Sequence, residues 1–151
     1  MTREIVTEAE IEAPPERVWE ELTAFDSYPD WNPFICRLGG RAARGERLEG
    51  RVQPPGSRGT TFKPEVLVAE EGRELRWRGR FLVPGLFDGE HYFLIEPRDE
   101  NRVRFVQGEK FSGLLVPLLW KGLSANLRRG FEEMNQALKE RAEESAARGE
   151  L

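Results

Sequence analysis

The last long helical stretch sets the terms for everything before it. From residue 114 to about 144, apolar residues recur every three or four positions: Leu115, Val116, Leu119, Trp120, Leu123, Leu127, Phe131, Met134 and Leu138. That spacing gathers most of them into one stripe of an α-helix. Pro117 falls in the first turn, where a missing N–H costs little. The opposite face carries Lys121, Arg128, Arg129, Glu132, Glu133, Lys139 and Arg141. A helix this long with one apolar face needs a broad partner surface. The preceding segments supply one, because they read as a curved antiparallel sheet.

Residues 3–13 alternate, with Ile5, Thr7, Ala9 and Ile11 on one side and mostly glutamates on the other, the pattern of a half-buried strand. Ala13-Pro14-Pro15 ends it, and residues 16–23 form a short helix burying Val18, Trp19 and Leu22. Residues 25–34 are broken by Pro29 and Pro33 yet hold Phe25, Tyr28, Trp31 and Phe34. Such rings either cap the core or form a pocket rim. Tyr28, Trp31 and Phe34 are rim candidates, with the cap role favoured for Trp31. Strands follow at 35–38, 47–53, 60–69, 74–82, 89–96 and 103–111, divided by Gly, Pro and Asp turn signals. Pro64 implies an edge or bulge within 60–69. Strand, helix, meander and long helix make an α+β chain. The expectation is roughly seven strands curled around the final helix, with a cavity between them. Residues 1–142 read as one domain, and 143–151 as a frayed or disordered tail.

A net charge of −4 over 151 residues argues against nucleic-acid binding. No apolar run approaches the ~20 residues of a membrane span, and the first residues lack a signal peptide's apolar core. A cytoplasmic protein without stable membrane insertion is therefore expected, as a monomer or homodimer. One cysteine, Cys36, and one histidine, His91, are too few for a zinc site, and neither metal nor cofactor is expected. Cys36 lacks an activating base nearby in sequence and reads as inert.

Three segments in this order and spacing match a known pattern: 11–19 (Ile-Glu-Ala-Pro-Pro-Glu-Arg-Val-Trp), 28–33 (Tyr-Pro-Asp-Trp-Asn-Pro) and 111–115 (Phe-Ser-Gly-Leu-Leu). On these the chain, over about residues 3–142, resembles the START-like (SRPBCC) superfamily. Its members include birch-pollen-allergen-like proteins, polyketide cyclase/dehydrases and lipid-transfer domains. The resemblance implies a helix-grip fold. It leaves the function open, since that scaffold hosts many ligands.

The polar residues on inward strand parities carry what chemistry there is. His91 shares a parity with Phe93 and Ile95; Gln107 and Glu109 share one with Phe105 and Phe111. If the hairpin turn centres on Glu100, His91 falls opposite Glu109, Phe93 opposite Gln107 and Ile95 opposite Phe105, whereas a one-residue slip would reverse every side chain. The His91–Glu109 pair then has three readings, in descending preference: a buried pair that fixes strand register, a group that orients a polar ligand, or a general acid/base. Trp77 and Gly79 share an inward parity while Arg76, Arg78 and Arg80 point to solvent. Gly122 and Gly130 interrupt the last helix, which suggests close packing or room for a ligand. Asn126, at the stripe margin, either faces solvent or offers an amide to a ligand.

The expected function is binding of a small hydrophobic molecule between sheet and helix. Trp77, Gly79, Phe93, Phe105, Leu119, Leu123 and Leu127 would form the walls; His91, Gln107, Glu109 and Asn126 would be the polar groups. A cyclase/dehydrase-like enzyme is one alternative, with His91 and Glu109 as the catalytic candidates. A lipid or quinone chaperone, or an adaptor, acting at a membrane surface is the other. Its contact loop would be residues 83–87, placing Leu86 and Phe87 at the rim.

Overall fold

The computed structural model describes residues 2–81 and 85–149. β1 (Thr2–Ile11) leads into α1 (Pro15–Thr23), a 3-10 turn (Phe25–Ser27) and the short α2 (Tyr28–Trp31). β2 (Ile35–Gly39), β3 (Glu49–Val52) and β4 (Thr60–Phe62) form an antiparallel three-stranded sheet. β5 (Glu65–Glu70), β6 (Glu74–Phe81), β7 (Phe87–Asp99) and β8 (Arg102–Ser112) join β1 in an antiparallel sheet of order β1-β8-β7-β6-β5. The chain closes with α3 (Val116–Ala147), packed on the strands. This is the expected α+β helix-grip arrangement.

Two details depart from expectation. The described residues hold eight strands in two sheets, not roughly seven in one, because the segment 60–69 divides at Lys63-Pro64. Proline cannot donate to a ladder. The groups around it instead bind the preceding loop: Leu48 N–H donates to the Pro64 carbonyl and Val66 N–H to the Glu46 carbonyl, both at 2.8 Å. The loop 45–48 thereby stitches the two sheets together. The last helix also continues to Ala147, past residue 142, where fraying was expected to begin. Ala142 and Ser145 are buried. Glu143 Oε2 accepts from Glu12 N–H at 2.8 Å and from Lys139 Nζ at 2.6 Å, and Lys139 also donates to the Glu10 carbonyl. These bonds fasten the helix end to the end of β1.

Burial alone would raise the Glu143 carboxyl, but the Glu12 N–H and the Lys139 ammonium outweigh it and hold the group below its usual range. A depressed folded-state value adds stability that is complete above the unfolded value of about 4.3 and is lost as pH falls through the folded one. Urea denaturation of Glu143→Gln should therefore give a deficit at neutral pH that shrinks toward acid. A deficit independent of pH would contradict this linkage.

α3 has two different halves. Phe131, Met134 and Leu138 are fully buried, packed in the core shared with β1 and α1. Toward the N-terminus, Leu123 and Leu127 are only partly buried, and Leu118 is 77 % exposed. At that end Val116 is still fully buried and Trp120 packs on Phe111, while Leu123 and Leu127 border a cavity. The two glycines of α3 divide the same way. A Cβ at Gly122 would meet open space, whereas one at Gly130 would come within 2.4 Å of Phe34 Cδ1. Gly122→Ala should raise stability by about 0.5–1 kcal/mol through helix propensity alone. Gly130→Ala should lower it by about 1–2 kcal/mol, since displacing a packed ring outweighs the same gain. Urea melts of the pair check this, and equal signs would refute it.

Candidate functional site

The site is set by strand register. β7 and β8 turn at Glu100-Asn101, with Asp99 opposite Arg102; a register shift between Pro97 and Asp99 then places His91 opposite Glu109, Phe93 opposite Gln107 and Ile95 opposite Phe105. Across four strands, one inward row reads Trp77, His91, Glu109, Ile5, and the next reads Leu75, Phe93, Gln107, Thr7. A third row holds Gly79 opposite Gly89, so two adjacent side-chain positions on the concave face are vacant. The Glu109 carboxyl folds over Gly89, where a Cβ would come within 2.1 Å of Oε2.

The outward rows are charged and self-paired. Arg76 bonds Glu74 and Glu90 at 2.8 Å each and lies over the Tyr92 ring. Tyr92 Oη donates to Glu4 at 2.7 Å, and Arg104 bridges Glu8 and Glu96. Burial, helped by the Glu4 carboxylate, raises the Tyr92 phenol. These arginines are already partnered by carboxylates.

Inside, a chain of hydrogen bonds crosses the fold. His91 Nδ1 lies 3.1 Å from Glu109 Oε1, and Nε2 lies 2.8 Å from Gln107 Oε1. Gln107 Nε2 donates to Asn135 Oδ1 at 2.7 Å and to the Phe131 carbonyl at 3.3 Å. Asn135 Nδ2 donates to Thr7 Oγ1, whose hydroxyl donates to the Gln107 carbonyl, both at 2.8 Å. Gln107 is 0 % exposed and every polar atom of its side chain is used, as burial requires. Aromatic rings enclose the His91 imidazole: Trp77 stacks on it at 5.5 Å, and Phe131 meets it edge-on at 5.0 Å.

Beyond this chain lies a cavity of about 240 Å³, open at one side. Of the residues suggested by the sequence, Trp77, Gly79, His91 and Glu109 line it from the sheet and Leu123 and Leu127 from the helix. Phe34 and Phe87, expected at the rim, are also in its wall. Asn32 Oδ1 holds Phe34 there by accepting from the N–H groups of Phe34 and Ile35. The remaining lining was not anticipated: Ile35, Val52, Pro54, Thr60 and Phe62 come from β2 to β4 and their connections, and Phe111 from β8.

Several expected site residues lie elsewhere. Leu119 is 39 % exposed, because the buried stripe passes through Val116, Trp120 and Leu123 and leaves it on the flank. Asn126 faces solvent, and the amide in the interior belongs to Asn135. Nine residues are two and a half helical turns, so the two amides sit on opposite faces. Phe93, Phe105 and Gln107 are buried beneath the cavity and do not line it. Tyr28 and Trp31 cap the core: Tyr28 Oη donates to the Leu22 carbonyl at 2.5 Å, and Trp31 packs edge-on against its ring. Burial pushes the Tyr28 phenol up. Leu86 is half-buried, tied through its carbonyl to Leu115 N–H, and is not part of the lining. Of the suggested contact loop, residues 83 and 84 lie outside the described residues, and Phe87 is buried. Cys36 Sγ donates to the Arg51 carbonyl at 3.6 Å. Among the described residues there is no group of three or more His, Cys, Asp or Glu that could hold a metal, and no helix long and apolar enough to cross a membrane.

A family model described as polyketide cyclase / dehydrase and lipid transport matches residues 2–143. The chain belongs to this family. Among solved structures, the family member resembles an aromatase/cyclase from Streptomyces sp. R1128, with 18 % identity, all of both chains covered and a TM-score of 0.81. It also resembles norcoclaurine synthase from Thalictrum flavum, at 13 % identity over 97 % of each chain and a TM-score of 0.75. A START superfamily protein from Mycobacterium smegmatis is similar at 21 % identity, over 93 % of this chain and 97 % of that one, with a TM-score of 0.70. At these identities the likeness is one of fold. No curated protein matches the chain by sequence.

Proposed function

We propose that the protein binds a small, mostly apolar molecule in the cavity between sheet and helix. The carrying observation is the cavity itself: about 240 Å³, walled by Phe34, Phe62, Trp77, Phe111, Leu123 and Leu127, with Glu109 and His91 as its convergent polar groups. Drug-sized sites run to roughly 300–1,000 Å³, so this one suits a molecule of about two fused rings and not a two-chain lipid. Family membership agrees with such a role. Calorimetric titration with 2-ethylnaphthalene should give saturable one-to-one binding, and native mass spectrometry of the purified protein should find a small co-purified hydrophobe. Absence of saturable binding would sink the proposal.

One observation favours a second reading, acid–base catalysis on the bound molecule: His91 and Glu109 both line the cavity. Turnover of a candidate substrate that survives His91→Ala unchanged would eliminate it.

A further inference from the structure

We infer that the cavity selects an uncharged ligand that donates one hydrogen bond, an alcohol or phenol, over the carboxylate or ammonium of the same shape. The inference rests on the cavity-binding reading above and follows from the direction of each hydrogen bond in the buried chain.

The direction is set at two main-chain carbonyls, which can only accept. The Gln107 carbonyl takes the Thr7 hydroxyl proton, so Thr7 Oγ1 must accept from Asn135 Nδ2. Asn135 therefore turns Oδ1 toward Gln107. The Gln107 amide faces two acceptors, Asn135 Oδ1 and the Phe131 carbonyl, and must present its NH₂ to them. Its own Oε1 is left for His91 Nε2, which must carry a proton to donate across 2.8 Å. Nδ1 then meets Glu109 Oε1 at 3.1 Å, a contact that is attractive only with a proton in it.

The His91–Glu109 pair thus holds one shared proton, and its net charge is zero whichever atom carries it. As imidazolium and carboxylate, Glu109 Oε2 is a carboxylate oxygen. As imidazole and carboxylic acid, with the hydroxyl on Oε1, Oε2 is the carbonyl oxygen. In both arrangements Oε2 only accepts. It has no hydrogen-bond partner among the described residues; it occupies the space left by the missing side chain of Gly89, and Glu109 is part of the cavity wall. The ligand must supply the missing donor.

Charge decides which donor. Among the described residues no lysine or arginine lines the cavity; besides Glu109 and His91 its wall holds the Thr60 hydroxyl and the Trp77 indole, both uncharged. A ligand carboxylate would set acceptor against acceptor with no cation to offset it. An ammonium would bring an uncompensated charge into an apolar space beside a neutral pair. A neutral O–H satisfies Oε2 and adds no charge.

Four probes of nearly one shape test this on the full chain by calorimetry at neutral pH: 2-naphthylmethanol, 2-ethylnaphthalene, 2-naphthoate and 2-naphthylmethylammonium. The alcohol should bind at least about 10-fold more tightly than either charged probe. Its affinity ratio to 2-ethylnaphthalene should fall about 10- to 100-fold on Glu109→Met. A ratio unchanged by that substitution, or a charged probe binding most tightly, overturns the inference while binding of the hydrocarbon keeps the cavity reading. Binding by none of the four overturns both. A second readout needs no variant. His91 is the only histidine of the chain, so one pair of ring ¹⁵N resonances reports it. Nε2 should appear protonated across neutral pH, and an unprotonated Nε2 overturns the inference.

Discussion

Gln107→Leu should unfold about 10 °C below the parent protein. The side chain keeps nearly the same bulk, so the loss is one of hydrogen bonds and not of volume. The substitution removes the partner of His91 Nε2 and one partner each of Asn135 Oδ1 and the Phe131 carbonyl, all inside the core. Each buried polar group left without a partner costs about 1–3 kcal/mol. A total near 3–5 kcal/mol is a large part of the ~5–15 kcal/mol that holds a domain folded. At this chain length, each kcal/mol moves the midpoint by about 2–4 °C. Differential scanning calorimetry measures it, and a drop under about 3 °C would mean the chain is not energetically coupled. Adding Asn135→Leu should cost less than the sum of the two single changes, because some orphaned groups are then removed together.

Gly79→Phe should abolish binding of 2-ethylnaphthalene, by about 30-fold or more, without lowering stability. Residue 79 shares the inward parity of Trp77, lines the cavity and pairs with Gly89. A benzyl group there projects into the space a ligand would use. Glycine within a strand costs roughly 0.5–1 kcal/mol relative to alanine, and a ring placed in an existing cavity gains apolar contact. The melting temperature should therefore hold or rise while affinity collapses. Arg78→Ala, one residue away on the solvent side, should leave affinity unchanged. Undiminished binding by Gly79→Phe would move the binding site elsewhere.

Sequence patterning reached the polar centre because β7 and β8 alternate cleanly. His91, Gln107 and Glu109 stand out as polar residues among apolar ones of the same parity, and a turn centred on Glu100 gives the observed pairing, which the hairpin reaches through a two-residue turn and a register shift between Pro97 and Asp99. Thr7 carried the same signal on β1 and was grouped with Ile5 and Ile11, but its bond to the Gln107 carbonyl depends on strands a hundred residues apart. Asn135 was legible in principle, as a polar residue between Met134 and Leu138 on the buried stripe. Of the two readings open for Asn126, solvated or offering an amide to a ligand, the solvated one holds, and Asn135 lies on the opposite face. The wall built by Val52, Pro54, Thr60 and Phe62 was not legible. Those strands are three and four residues long, too short for alternation to show which side is buried.

The division of α3 has a bearing on how such a chain can change over generations. What holds the fold together sits around Phe131, Met134, Leu138 and the Gln107 chain. The cavity proposed to take a guest is walled by Phe34, Phe62, Leu123 and Leu127. The two groups are neighbours and share few residues, with Glu109 and His91 at the seam. Drift in the second group alters the guest and spares the scaffold. A lineage built this way can exchange one small molecule for another by ordinary point substitutions, with no passage through an unfolded ancestor.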